Sequence, residues 1–379
     1  MDVGCLLTNL SLSRLVLTAN DVSSFQESYL SRRALYFTDD QVYFRCREST
    51  WSENFVDRLP EPNNDEFDAT VLPIAWQANP ESEYRLILFY YTSRGLTNQA
   101  DALLAMAGII RRLSSKMRCR FFQGMPVAAF DTFMIFVGRG SLLRRRRGFP
   151  SYSWAGWIGQ VDHYAPKEEN IWLCDRTWIV WYKRSSSGSV NLVWDIMANE
   201  TFPTGDMDFL GYRERSLFKN KHDLRFPTSR TTPTNEQFFE REFPPYPILQ
   251  FWTLVVYFTI SRFQVFTALA CVYDRFGVMC GQVKMDGFEE TDFFETGGSL
   301  EFIVLSEACR DNTDSTNITG WDQGLLKYST NPDTGTYYNV LLLEWNGGIA
   351  ERRGIGAIYQ KAVERSYRPG PLWKEIFLA

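Results

Sequence analysis

The stretch Ile248–Val272, ILQFWTLVVYFTISRFQVFTALACV, is the most apolar run beyond the N-terminal region. Two structures compete for it. A membrane-spanning helix needs about 20 consecutive apolar residues. Gln250, Arg262 and Gln264 interrupt the run before that length is reached. Its residues are mostly β-branched and aromatic, so it reads as one or two buried strands. Similar short runs recur from residue 148 onward: Tyr152–Trp157, Ile171–Tyr182, Val190–Ile196, Leu249–Tyr257, Phe266–Tyr273, Phe302–Ser306 and Tyr338–Trp345. Gly, Pro, Asn and Asp clusters separate them, the rhythm of an antiparallel β domain. No fixed-period repeat is present, which argues against a solenoid or propeller. Residues 309–336 read as one long surface loop.

Upstream the pattern is helical. Tyr84, Ile87, Leu88 and Tyr91 fall at three- and four-residue spacing, with Gly95 placed to stop a helix. Thr97 or Asn98 is placed to cap a second helix running to about Met117, with Ala100, Leu103, Leu104, Ala107, Ile110 and Leu113 as its apolar face. A third helix is expected after Pro126, carrying Phe130, Phe133, Met134 and Val137 and ending at Gly138. Residues 60–82 are rich in Pro, Asn and acidic residues, the composition of a linker. Before them, Gln26, Glu27 and Ser31-Arg32-Arg33 suit a helical turn. Ala34–Phe37 and Val42–Cys46 suit two short strands around the turn Thr38-Asp39-Asp40.

Composition narrows the chemistry. The chain has 379 residues, 45% of them apolar and 22% charged, with 12 Trp, 18 Tyr and 29 Phe. These values exclude wholesale disorder and leave room for about two or three domains with large cores. The net charge of −5 argues mildly against nucleic acid as a partner. Only His163 and His222 are present, so a multi-histidine metal site is excluded and a Ser-His-Asp triad has little to draw on. The seven cysteines contain no Cys-x-x-Cys pair and read as reduced thiols of a cytoplasmic protein. The N-terminus opens with Asp2 in place of a basic segment, and its apolar run is cut by Thr8, Asn9, Ser11, Ser13 and Arg14, so no export signal is expected.

Phe25–Cys46, FQESYLSRRALYFTDDQVYFRC, resembles the closing segment of the fungal heterokaryon-incompatibility (HET) domain. Tyr91–Ile109, Arg144–Gly159, Leu341–Gly356 and Pro369–Leu378 are similar, in the same order, to segments of long members of that family. The resemblance covers roughly residues 25–379. It departs at Asp21-Val22-Ser23-Ser24, where the family has Arg-Gly-Trp-Thr, and residues 1–24 stand where its earlier strands and helices would be. The resemblance implies a truncated HET domain related to the Toll/interleukin-receptor (TIR) fold, joined to a complete C-terminal region. It implies a role in nonself recognition and programmed cell death. Some relatives of that fold cleave NAD, through parts this chain lacks. Exposed apolar surface within residues 25–58 is the expected cost of such a truncation.

Several local patterns suggest chemistry, and in each the structural reading outweighs the chemical one. Arg144–Arg147 could grip phosphates but reads as a solvated basic loop. Trp154 and Trp157 could form a ligand platform but read as core. Gly354-Ile355-Gly356 lacks the third glycine of a dinucleotide loop, since position 359 is Tyr359, and reads as a turn after the Leu341–Trp345 strand. Glu351, Arg352 and Arg353 read as a local ion-pair network. Glu289, Glu290, Asp292 and Glu295 lack the spacing of a calcium loop. His163 and His222 each adjoin an aspartate but have no nucleophile in a suitable context. Gln26, Glu27, Arg32 and Arg33 read as structural, with Glu27 pairing an arginine.

The expectation is therefore an α+β chain: a remnant of an α/β, TIR-like HET domain in residues 1–60, a linker at 61–82, a helical section at 83–140, and a large antiparallel β-rich domain at 141–379. It is expected to act in the cytoplasm through protein partners, without a membrane span and without enzymatic activity in this form. No catalytic, cofactor-binding or metal-ligating residue is assigned. The alternatives are an NAD-cleaving enzyme, if the native product is longer, and a β module that binds glycan or peptide.

Overall fold

The computed structural model describes residues 22–37, 42–46, 50–53, 80–117, 119–139, 142–163, 179–193, 243–261, 268–287, 298–309 and 336–379. The chain is α+β. Its main helices are α1 (Val22–Leu30), α2 (Pro80–Thr92), α3 (Ala107–Met117) and α4 (Phe130–Met134). It divides into two compact units, residues 1–75 with 94–111, and residues 76–93 with 112–379.

In the first unit, β1 (Arg33–Phe37), β2 (Val42–Cys46) and β3 (Thr50–Ser52) form an antiparallel sheet in that order. The first two strands follow the predicted pattern, while β3 is too short to show alternation. Phe25 and Tyr29, one turn apart on α1, are buried. Gln26 Oε1 accepts the Gly108 N–H at 2.9 Å. A Cβ at residue 108 would lie 2.8 Å from Leu30 Cδ1, so glycine is what permits this approach. Asn98 caps as predicted, its side chain accepting the Ala100 N–H at 3.1 Å. The helix it opens is not continuous. Gln99–Asp101 and Leu104–Met106 are 3-10 turns, and α3 begins only at Ala107. Three residues per turn, in place of 3.6, shift the buried face. Ala102, Met106 and Ile109 are buried, while Leu104, predicted to be buried, is 71% exposed.

In the second unit, α2 buries Tyr84, Ile87, Leu88 and Tyr91, the four residues its spacing predicted. The helix expected after Pro126 is only α4; Val137 lies instead in a short strand. Three two-stranded ladders follow from β4 (Phe121–Phe122) with β5 (Met125–Pro126), β6 (Phe136–Gly138) with β9 (Val161–His163), and β7 (Arg144–Arg145) with β8 (Trp157–Ile158). The strand predicted at Tyr152–Trp157 is interrupted. The Ser153 hydroxyl accepts the Ala155 N–H at 3.0 Å and opens a 3-10 turn over Trp154–Gly156. Gly156 packs so closely on Pro150 that a Cβ would sit 2.1 Å from its carbonyl oxygen.

The remaining strands are β10 (Tyr182–Arg184), β11 (Val190–Leu192), β12 (Ile248–Ile260), β13 (Leu269–Tyr273), β14 (Met279–Met285), β15 (Leu300–Cys309), β16 (Thr336–Asn346), β17 (Ile349–Tyr359) and β18 (Leu372–Leu378). The pairings β12–β13–β14–β17–β16–β15–β12 close a ring, and every step is antiparallel. This is a six-stranded barrel. Its size leaves room only for side chains. Leu254, Val256, Phe258, Val272, Val283, Phe302, Val340, Leu342 and Ile358 fill it. The 13-residue strand β12, cut from the stretch that opened the sequence reading, makes closure possible. Its first half pairs β10 on one edge and β18 on the other; its second half pairs β13 and β15.

β14, β17 and β18 were not anticipated. β17 contains Gly354 and Gly356, so these glycines lie within a strand and not in the turn predicted for them. The turn is at Gly347–Gly348, before that strand. A Cβ on Gly356 would lie 2.3 Å from Gln282 O, and one on Gly281 would lie 2.3 Å from Ala357 O. The two strands approach too closely here for any other residue. Gly356→Ala and Gly281→Ala are each expected to lower stability by about 1–3 kcal/mol. Urea denaturation measures this, and midpoints equal to wild type would show that the strands can separate without loss.

Candidate functional site

The residues singled out by sequence do not converge on one site. Of the four arginines at 144–147, Arg144 and Arg147 are exposed, but the other two turn inward. Arg145 Nη1 donates to the carbonyls of Arg146, Phe149 and Gly156 at 2.7, 2.6 and 3.1 Å. Its Nη2 lies 3.3 Å from Glu351 Oε1 and 3.3 Å from the Tyr246 hydroxyl. Arg146 Nη1 donates to Ala155 O at 2.6 Å. This pair staples the Trp154 turn and presents no paired phosphate grip. Trp154 and Trp157 are buried, their indole N–H groups donating to Gly124 O at 3.0 Å and Ser151 O at 2.8 Å. They are core, as the structural reading has it.

Glu351, Arg352 and Arg353 do not form one local network. Each reaches a different partner: Arg145, Asp286 and Glu344. Alternation along β17 sends Arg352 inward while its two neighbours face out. In α1, Gln26 serves the Gly108 contact. Glu27 is exposed, and among the described residues no arginine reaches its carboxylate, contrary to the pairing expected for it. Arg32 and Arg33 are exposed. His222, Glu289, Glu290, Asp292 and Glu295 lie outside the described residues.

Two arrangements stand out, and the first was not foreseen. The first is a buried polar hub. Arg352 is wholly buried, and its Nε donates to Asp286 Oδ2 at 2.6 Å. Its Nη1 donates to Met134 O at 2.8 Å, and its Nη2 donates to Phe136 O. The guanidinium lies 3.7 Å from the centroid of the Phe136 ring. The backbone N–H of Arg352 donates to the Ser151 hydroxyl at 2.9 Å, which itself donates to Ala379 O. Burial raises the Asp286 pKa, opposed by the Arg352 charge. The ladder with β16 shifts register between Arg352 and Gly354, so the side of β17 that Arg352 takes could not be read from alternation with the barrel residue Ile358.

His163 packs beside this hub, its ring 5.0 Å from Phe133 and 5.9 Å from Phe136. Neither ring nitrogen has a hydrogen-bond partner among the described residues. Burial pushes its pKa well below the usual value, and the Arg85 and Arg352 charges push it further. The imidazole is therefore neutral and packs as an aromatic ring. Asp162, its neighbour, faces the other side of the strand, so the pair is no dyad. Burial, aided by the Asp274 carboxylate, pushes the Cys280 thiol up to about 12, which makes it a poor nucleophile. Among the described residues, no cluster of three or more His, Cys, Asp or Glu could hold a metal ion.

The second arrangement is an apolar face on the β1–β2–β3 sheet. Leu35, Phe44 and Trp51 stand directly opposite one another across the three strands, flanked by the Phe37–Val42 pair. The Phe44 and Trp51 rings are 5.4 Å apart. Leu35, Val42, Phe44 and Cys46 are half-buried, while Phe37 is 44% and Trp51 52% exposed. Exposed apolar surface was predicted for this region. Large apolar groups gathered on one face mark a contact surface more often than scattered ones do. No protein-family model, curated protein or solved structure matches the chain. Among the described residues no helix is long and apolar enough to cross a membrane.

The hub yields two checks. Arg352→Met leaves Asp286 buried without its counter-charge and is expected to lower stability by about 3–5 kcal/mol. Adding Asp286→Leu should recover part of that loss, because the uncompensated charge is gone. A loss under about 1 kcal/mol in the single variant would deny the hub its role. For His163, the unfolded chain binds a proton near the ordinary histidine value while the folded chain does not. Stability is therefore full above about pH 6.5 and falls as the pH drops below it. His163→Phe should flatten the decline of Tm between neutral and mildly acidic pH. An unchanged pH profile would contradict the buried, neutral imidazole.

Proposed function

We propose that this chain is a member of the fungal heterokaryon-incompatibility family and acts in the cytoplasm, through protein contacts, in nonself recognition and cell death. On this reading, residues 1–60 are the remnant of a TIR-like HET domain, and the β1–β2–β3 face is the surface through which a partner is engaged. The observation that carries the contact reading is the exposure of Phe37 and Trp51 on one apolar sheet face. The family reading rests on the ordered sequence similarities from Phe25 to Leu378.

In the second unit, the described polar groups that sequence reasoning singled out serve structural contacts. His163 is buried and neutral, with no hydrogen-bond partner among the described residues, Cys280 is a buried thiol with a raised pKa, and Arg352 donates to Asp286 and to two backbone carbonyls. The aromatic-platform alternative gains no support. Among the described tryptophans of the β-rich region, Trp154, Trp157 and Trp181 are buried, and Trp252, Trp345 and Trp373 are half-buried.

The test is expression in a filamentous fungus followed by fusion with an incompatible strain. Wild-type chain should restrict growth at the fusion zone. Phe37→Ser/Trp51→Ser should lose that effect while keeping its melting temperature. Leu104→Ser, at an exposed position in a 3-10 turn, should retain it. Equal restriction by all three would remove the β1–β2–β3 face from the account, and no restriction by wild type would remove the family role.

A further inference from the structure

The hairpin between β13 and β14 ends in Asp274-Arg275-Phe276-Gly277-Val278, with Phe276 65% and Val278 47% exposed. A turn that only joins two strands is usually built from polar residues and glycine. This one displays an aromatic and an aliphatic side chain, and it is braced from below. Asp274 is fully buried, and its Oδ1 accepts the N–H groups of Phe276 and Val278, both at 2.9 Å. Its backbone N–H donates to Val278 O at 3.0 Å and its carbonyl accepts the Gly277 N–H at 2.9 Å. Gly277 supplies the φ of +75° that the turn requires. Arg365 Nε lies 2.9 Å from Asp274 Oδ2, and the Arg275 N–H donates to Arg365 O at 3.2 Å.

None of this bracing is needed to fill the barrel, whose interior side chains in these strands stop at Val272 and resume at Cys280. Its effect is to hold two apolar side chains outward in one conformation. Such a tip has little ordering entropy left to lose on binding. The Arg275 guanidinium lies 4.8 Å from the Phe276 ring centroid and makes no ion pair among the described residues. The tip protrudes, so it offers no concavity to a small molecule. A protein pocket that swallowed Phe276 would also have to desolvate the cation beside it and supply a carboxylate. A bilayer makes no such demand. The ring and isopropyl group can enter below the headgroups while the guanidinium stays at the level of the phosphates.

We propose that the tip Arg275–Val278 docks this protein peripherally on an anionic lipid surface, Phe276 and Val278 entering the interface and Arg275 contacting acidic headgroups. The chain carries a net charge of −5, so the attraction is local to the tip and sensitive to salt.

The test is co-sedimentation of the full chain with phosphatidylcholine–phosphatidylserine vesicles, and with phosphatidylcholine vesicles, at low and high salt. Wild type should pellet with the mixed vesicles at low salt and be released at high salt or on neutral vesicles. Phe276→Ser/Val278→Ser should lose the binding. Arg275→Gln, which alters no buried group, should weaken it by about fivefold. Equal binding to both vesicle types, no binding by wild type, or variants that bind as wild type would each overturn the proposal. So would a tip variant that changes the mass seen by light scattering without any lipid effect, which would assign the tip to contact between copies of the chain.

Discussion

The Arg352 guanidinium is the constraint on which the second unit depends. It is a cation placed where no water reaches, and each of its donor groups must find an acceptor there. Asp286 answers one, and the carbonyls at the end of α4 and the start of β6 answer two more. The face of Phe136 covers the planar surface of the group. One side chain thus joins three things the sequence keeps far apart: strand β17, the end of β14, and the aromatic section that contains α4. Ser151 adds a fourth, bridging the Arg352 backbone and Ala379.

That arrangement also bears on function. Buried arginine, aspartate and histidine within a few residues' reach are the materials of an active site. Here the geometry assigns them elsewhere. The guanidinium points at backbone carbonyls, the imidazole is hemmed in by phenylalanines, and among the described residues no nucleophile faces them. Among the described residues, apolar side chains face outward at Phe37 with Trp51 on the small sheet, and at Phe276 with Val278 on the hairpin.

Much of the fold was legible where a local pattern carries its own physical cause. The face of α2 followed from the spacing of Tyr84, Ile87, Leu88 and Tyr91. β12 followed from β-branched and aromatic content in a run that Gln250, Arg262 and Gln264 keep too short for a membrane-spanning helix. β1 and β2 followed from two short runs around an acidic turn. Several of the errors share one origin, in that the deciding contact was distant in sequence. Nothing local announces that β15 returns to β12, so an antiparallel domain was foreseen and a closed barrel was not. Gly354 and Gly356 suggest a turn until the close approach of β14 is known. The 3-10 turns before α3 rotated its buried face by a residue or more. Exposed apolar surface within residues 25–58 was expected as the cost of a truncated domain, but Trp51 as its most exposed member was not.

The most direct test of the account is hydrogen exchange, followed by mass spectrometry, on wild type and Arg352→Met under native conditions. If the guanidinium joins the aromatic section to the barrel, peptides covering residues 121–158 should gain exchange strongly in the variant, while the β12–β15–β16 core keeps most of its protection. A variant in which residues 121–158 exchange as slowly as in wild type would contradict the account, because the section would then be held by packing alone and the buried ion pair would be incidental.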